Sequence, residues 1–383
     1  MNKRFEALDA FRGMCALSVV VFHMHLVGSI TELNFFRGSS IFVEFFFVLS
    51  GFVLAHGYAY KEGLKFSTFM KSRFFRLYPL HIFMFFVMLM LEVGKLLAYK
   101  FGGFMFNNEP FTASYAFKEI IPNLLLIQSW TPYTEPLSFN FPSWSISIEF
   151  YMYALFFGSI VTCRKNKVAV WIISSLTAFL LIYLHSSLLT PEVLRGISCF
   201  FGGAFTYYLF IRTPTLNLNT TIGTVIEILL LSMIIVVVQS TFEHRSSVAS
   251  VLFMVTVFCF AFEFGVISKM LKAKPFQTVG KLSYSIYMTH AAILFCLTST
   301  AIIIQKITKA SFAPMIDGLR YLDFGNSHIN NIITLIISLL VIAISSVTYK
   351  YIELVGQKFN SRSKETKNTN KYNAEPKVQT SEI

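Results

Sequence analysis

Charge is scarce in this chain. Of 383 residues only 14% are Asp, Glu, Lys or Arg, where a soluble domain carries about 25%. Tryptophan is down to three residues, and residues 100–143 contain no histidine. No P-loop, Gly-x-Gly-x-x-Gly fingerprint or Gly-x-Ser-x-Gly elbow occurs, so neither a phosphate-cradling loop nor an α/β-hydrolase nucleophile is expected. The five cysteines (Cys15, Cys163, Cys199, Cys259 and Cys296) are odd in number and lack Cys-x-x-Cys or Cys/His spacing. Neither a disulfide framework nor a metal site is therefore expected. No internal or inverted repeat is visible, which argues against the symmetric transporter architectures.

What is abundant is apolar surface: 55% of the residues, 43 of them Phe, with a mean hydropathy of +0.61. That balance excludes a soluble globular enzyme, a disordered chain and a secreted disulfide module. Apolar runs near 20 residues recur between short charged loops, the pattern of a polytopic all-α membrane protein. The net charge of +12 would invite a nucleic-acid partner in a soluble protein. Here the basic residues fall at the ends of apolar runs, so no nucleic-acid partner is expected.

Hydropathy predicts about ten transmembrane helices, at 8–28, 42–60, 77–99, 144–163, 168–188, 195–211, 221–240, 248–268, 283–304 and 329–352. The stretch 117–130 is too short and polar to span and reads as a re-entrant or interfacial segment. With both termini cytoplasmic, 23 of the 32 basic residues lie inside and nine outside, as the positive-inside rule requires. The start resembles a signal peptide, but no small-x-small cleavage site follows and Glu6, Asp9 and Arg12 interrupt it, so it is expected to stay as the first helix. Residues 1–356 are expected to form one transmembrane domain, and 357–383 a disordered polar cytoplasmic tail.

Polar groups inside such spans are costly and mark function by default. On the first helix Arg12 and His23 are eleven residues apart and return to one face at 100° per residue, with Asp9 on the same side. The stripe rises about 16 Å from the inner surface and ends in an imidazole, while His25 points elsewhere. Arg73 and Arg76 share a face just before an apolar run opened by Pro79, and paired guanidinium groups there suit a phosphate-bearing ligand. Glu149 sits inside a span, one turn from Ser145 and Tyr153. Ser283, Tyr287 and His290 form another stripe, and Arg195 and Glu353 complete the set. Each has a plainer alternative: an interhelical hydrogen bond for His23, surface anchoring for the arginines, a helix tie for Glu149.

Together these residues resemble the membrane acyltransferase-3 family, over nearly all of 4–356. Arg12-x10-His23 within Leu-Asp-Ala-Phe-Arg-Gly is the most specific sign. Phe45-Phe-Phe-Val-Leu-Ser50-Gly51-Phe, Arg73-x-x-Arg76-Leu-Tyr-Pro, Trp144-Ser-Ile-Ser-Ile-Glu149-Phe-Tyr and Ser283-Tyr-Ser-Ile-Tyr287-Met-Thr-His290 resemble further segments. One departure is Val355, where family members commonly place Pro; it touches the end of the last helix only. The resemblance is to the stand-alone form, without a fused esterase-like domain.

The resemblance implies an O-acyltransferase of the bacterial cytoplasmic (inner) membrane. It would move an acyl group, most simply acetyl, from cytoplasmic acyl-CoA to a hydroxyl of a lipid-linked or polymeric cell-surface carbohydrate, with membrane lipid around it. Arg12, Arg73 and Arg76 would bind the polyanionic CoA. His23 would be catalytic, as general base or transiently acylated nucleophile. Glu149 would either orient His23 or hold the sugar, and Asp9, Ser283, Tyr287 and His290 would lend substrate or structural support. The rival reading is a transporter or flippase for lipid-linked saccharide, with the polar stripe as its pathway.

Overall fold

The computed structural model describes residues 4–104, 106, 108–213 and 219–359. Among them run ten long helices: α1 (Glu6–His23), α2 (Phe42–Tyr58), α3 (Phe66–Gly102), α4 (Ser143–Thr162), α5 (Lys167–Tyr183), α6 (Pro191–Arg212), α7 (Thr220–Gln239), α8 (Arg245–Phe260), α9 (Lys274–Thr308) and α10 (Ser327–Thr348). Sheet among the described residues is limited to a two-residue hairpin, Met315–Ile316 with Leu319–Arg320, and a bridge between Leu26 and Leu322.

Eight of these helices are long and apolar enough to cross a membrane. The other two are α8, which is shorter, and α1, whose first two turns carry Glu6, Asp9 and Arg12. The ten expected spans thus fall on ten helices, and the protein is an all-α polytopic membrane protein. The inner face is taken as the one bearing the start of α1 and the end of α10. The segment 117–130 does not span: it holds two short turns, Phe117–Glu119 and Ile120–Leu124, with Asn123, Gln128 and Ser129 buried beneath them. The expected tail lies, from residue 360 onward, outside the described residues; residues 357–359 prolong the last helix.

Several boundaries differ from the hydropathy reading: α5 ends at Tyr183 and α8 at Phe260, ahead of 188 and 268, and ends of α1, α3 and α9 also move. α1 ends at His23, not at 28, because Arg37 takes up its last carbonyls: the guanidinium donates to Val21 O at 3.2 Å and Met24 O at 2.5 Å. α3 begins at Phe66, so Pro79 does not open that helix but lies inside it. Proline frees the carbonyl four residues back; here that is Phe75 O, which packs against Gly356, where a Cβ would stand 3.0 Å from the oxygen and 2.7 Å from Pro79 Cγ. α9 starts at Lys274, ahead of the apolar run at 283. With 37 and 35 residues, α3 and α9 run about 50 Å at 1.5 Å per residue and outreach a hydrocarbon core of about 30 Å.

Lipid offers no hydrophobic drive between helices, so close approach relies on small residues. α1 crosses α9 at Gly13 and Gly280: a Cβ on Gly13 would lie 2.5 Å from the Gly280 nitrogen, and one on Gly280 would strike Asp9 O. α2 crosses α6 in the same way, with Gly51 against Phe200 O and Gly203 against Val48 O. Around the second crossing the abundant Phe becomes core, with Phe45, Phe52, Phe156, Phe200 and Phe253 fully buried.

Candidate active site

The Gly13–Gly280 crossing sets Arg12 against α9. Its Nε donates to Ser283 Oγ at 2.8 Å and its Nη2 to Gly280 O at 3.2 Å. Asp9 stands 3.7 Å from Arg12 Nη2 and also pairs with Arg4 at 2.9 Å. Arg12 thereby becomes part of the wall of a cavity of about 790 Å³, counted to its open mouth, between α1, α2, α3, α4 and α9. Arg73, Arg76, Glu149, Ser283 and Tyr287 line the same space. Residues distant in the sequence are thus brought to one site near the inner face.

The charges in this cavity are not balanced locally. Glu149 accepts hydrogen bonds from the hydroxyls of Ser50 and Tyr153. Arg73 Nη2 donates to Tyr58 Oη at 3.2 Å, its guanidinium lies 5.4 Å over the Tyr58 ring and 5.9 Å from that of Tyr153, and its Nε is buried without a partner. Elsewhere buried cations hold a carboxylate: Arg195 has Glu44 at 2.7 Å and Lys95 has Glu92 at 3.2 Å. Among the described residues no carboxylate stands within 4.0 Å of Arg73 or Arg76. Glu149 shares the cavity and Glu353 acts on Arg76 at longer range, but two guanidinium groups with no carboxylate in direct contact at the inner end of a membrane-buried cavity suit an anionic ligand.

His23 is not in that cavity. As the last residue of α1 it meets rings: Phe141 at 4.4 Å, Phe22 at 4.7 Å and His290 at 5.3 Å between centroids. Both nitrogens of His290 are buried, with the backbone of Ile286 and Tyr287 as the polar groups beside the ring. One turn back along α9, Tyr287 accepts a hydrogen bond from Ser145 Oγ at 3.0 Å and faces the Arg-lined cavity; its ring is 5.9 Å from that of His290. The Ser283–Tyr287–His290 stripe therefore joins the two ends of the site. Glu149 lies with the arginines, not against His23, and makes no direct contact that would orient the imidazole. His23 instead borders a second cavity, on the outer side.

His25 turns away from the stripe, but not through helical phase: α1 ends at His23 and Met24 is extended. Its Nδ1 lies 2.9 Å from Arg37 Nη1, so the ring is the neutral acceptor of the group that caps α1. Burial first, and then the Arg37 cation, push its pKa from 6.5 down to about 4. A depressed histidine stabilises fully above its ordinary value, and that contribution is lost as pH falls from 6.5 towards 4. The melting temperature of the purified wild type should therefore drop more steeply over this window than that of His25→Asn, which has no titrating ring. Parallel curves would remove His25 from the cap.

Sequence reasoning passed over several groups. Glu44, the partner of the already noted Arg195, and the Glu92–Lys95 pair are charges inside apolar helices. The signal was an ionisable residue within an apolar run, which Glu92-x-x-Lys95 displays at i, i+3. Arg37 had no such signal, since its role depends on where α1 stops.

A protein whose polar groups converge on buried cavities inside a helical membrane bundle is an integral membrane protein with an internal site. A family model described as "Acyltransferase domain" matches residues 5–350. The chain belongs to that acyltransferase family. It is similar to acyltransferase MdmB of Streptomyces mycarofaciens, 34% identical over 164 residues, which is 40% of this chain and 38% of that protein. It is also similar to protein 2 in the picA locus of Rhizobium radiobacter, 43% identical over 86 residues, covering 21% of this chain and 41% of that protein. The chain thus spans about two fifths of the length of each of these curated relatives. No solved structure matches it.

Proposed function

We propose that this protein is an O-acyltransferase of the bacterial cytoplasmic membrane. It takes an acyl group, most simply acetyl, from cytoplasmic acyl-CoA and delivers it to a hydroxyl of a lipid-linked or cell-surface carbohydrate. The observation that carries this reading is the pairing of two ends through α1 and α9: Arg73 and Arg76, free of any directly paired carboxylate, with Arg12 at the inner end, and His23 beside His290 at the outer end.

The inner cavity suits the donor. The CoA phosphates would meet Arg73 and Arg76 by charge-assisted hydrogen bonds, and the narrow pantetheine arm would run along the helix-one stripe, past Ser283 and Tyr287, towards His23. There a neutral imidazole would take the proton of the acceptor hydroxyl as its oxygen attacks the thioester carbonyl. The C–S bond breaks, the new ester keeps the acyl group, and the thiolate of CoA leaves and is protonated. A route through an acyl-imidazole on His23 uses the same groups in two steps. In either route Glu149, bonded to Ser50 and Tyr153, shapes the donor cavity and does not take part in proton transfer at His23.

Purified protein given acetyl-labelled acetyl-CoA and a bacterial saccharide extract tests this. Label is expected in a lipid-linked or polymeric saccharide as an alkali-labile ester. Neither label transfer nor donor binding, with saccharide flux in vesicles that needs no acyl-CoA, would replace this reading by the flippase.

A further inference from the structure

The buried side of α10 runs through Asn330, Thr334, Ile337, Val341, Ser345 and Thr348. Every step is three or four residues long, as one helix face requires. The next step is five. Tyr349–Glu353 forms a π-helix, and its extra residue turns everything after it by about 100° against an unbroken α-helix. Without it, Ile352 would come to the buried face. The wide turn leaves that apolar side chain part-buried and sets Glu353 in its place, 6% exposed, with Gly356 buried one turn further on. Burying a carboxylate where an isoleucine was available is unfavourable for the fold alone, and wide turns of this kind recur at functional sites.

Glu353 lies beside the inner cavity without lining it. Its Oε2 accepts from Ser285 Oγ at 3.0 Å and its Oε1 from Gln357 Nε2 at 3.3 Å. Ser285 is two residues from Ser283, the acceptor of Arg12 Nε. Gly356 packs on Phe75 O and Pro79, which bracket Arg76 on α3. Among the described residues no cation stands within 4.0 Å of the Glu353 carboxylate. Two hydrogen bonds leave a buried carboxylate undercompensated, and the fields of Arg76 and Arg12 supply the remainder. Across the site Arg12, Arg73 and Arg76 face Asp9, Glu149 and Glu353, so the formal charges cancel, although only Asp9 comes within 4.0 Å of one of these arginines.

We propose that Glu353 is a positioning residue for the donor arginines: a counter-charge held at a distance, which stabilises Arg76 and Arg12 inside the membrane, leaves Arg76 unpaired for the donor's phosphates, and limits how tightly those phosphates are held. This rests on the acyl-transfer reading. Acetyl-CoA and the CoA that leaves after transfer carry the same phosphates, so guanidinium groups alone would hold product as firmly as substrate. A carboxylate nearby weakens both and lets the product go, a step that sets turnover in many enzymes.

The test is calorimetric binding of acetyl-CoA and of CoA to full-length protein in lipid nanodiscs, beside steady-state transfer. At an effective dielectric of about 20, a carboxylate about 10 Å from a phosphate changes binding by roughly tenfold. Glu353→Gln keeps the shape and an acceptor for Ser285 but removes the charge, so both dissociation constants should fall about 3- to 20-fold. KM should fall with them, kcat should not rise, and inhibition by CoA should strengthen. A residue that merely tied α10 to α9 would weaken binding when replaced. Glu353→Asp keeps the charge, and Ser285→Ala removes the tie but not the charge, so both should stay within about twofold of wild type. If Glu353→Gln does not fold, Glu353→Met is read the same way. Binding unchanged or weakened in the folded Gln variant, an Asp variant that behaves like Gln, or a Ser285→Ala that reproduces the Gln effect would overturn the proposal. Those outcomes leave the acyl-transfer reading standing, whereas a wild type that binds no acetyl-CoA would sink that reading and this proposal with it.

Discussion

His23→Ala is expected to abolish acyl transfer while acetyl-CoA binding stays within about twofold of wild type. A positioned general acid or base contributes roughly 10²–10⁴ in rate, and a nucleophile lost outright costs at least as much. The separation of effects follows from the geometry. His23 sits among Phe22, Phe141 and His290 at the outer end of α1, whereas the inner cavity proposed for the donor is lined by Arg12, Arg73 and Arg76. Single-turnover transfer of label, beside calorimetric binding of acetyl-CoA, measures both. A variant that transfers at the wild-type rate would remove His23 from the chemistry. One that loses donor binding as well would show that the two cavities act as one.

Much of this arrangement was legible in the sequence, and the reason is helical phase. Arg12 and His23 both reach α9, the first through Ser283 and the second through His290, as one stripe facing one neighbour must. His25 also leaves the stripe and binds Arg37, but because it lies past the end of α1 and not through its phase. What could not be read was where each element stops. The residue before a proline disfavours helix, so Pro79 looked like a beginning; in the fold α3 passes through it, with Gly356 packed against Phe75 O and Pro79. The end of α1 is likewise set by a guanidinium fourteen residues beyond His23 in the chain. Those two boundaries decide that the arginines lie inside a helix wall and that His23 stands at a helix end. They divide one apparent stripe between two cavities and give Glu149 to the inner one. Lys95, counted simply as an outer-side charge, is buried against Glu92 for the same reason: tertiary packing places a pair that hydropathy averages away.

Arg73→Ala should weaken acetyl-CoA binding roughly 10- to 100-fold, since a hydrogen bond to a charged group contributes about 1.5–3 kcal/mol and about 1.4 kcal/mol is a factor of ten. The partners around it make this the more telling of the two arginine variants. Arg73 has a buried Nε without a partner and no carboxylate within 4.0 Å, so its removal strands no buried anion in the protein, and the loss reads on the ligand. Arg195→Ala is the contrast: it leaves the fully buried Glu44 without its 2.7 Å partner and should cost folding first. The Arg73 effect should also carry salt dependence. Wild-type affinity should fall as ionic strength rises from 50 to 500 mM, since screening weakens phosphate contacts at a solvent-reached cavity mouth, and the slope should flatten in Arg73→Ala. Dephospho-CoA, lacking the 3′-phosphate, separates the arginines further: a variant that binds CoA and dephospho-CoA alike has lost the contact to that phosphate. A wild-type affinity that is flat in salt would mean that these guanidinium groups do not hold phosphate, and that their missing carboxylates serve a lipid headgroup at the inner surface instead.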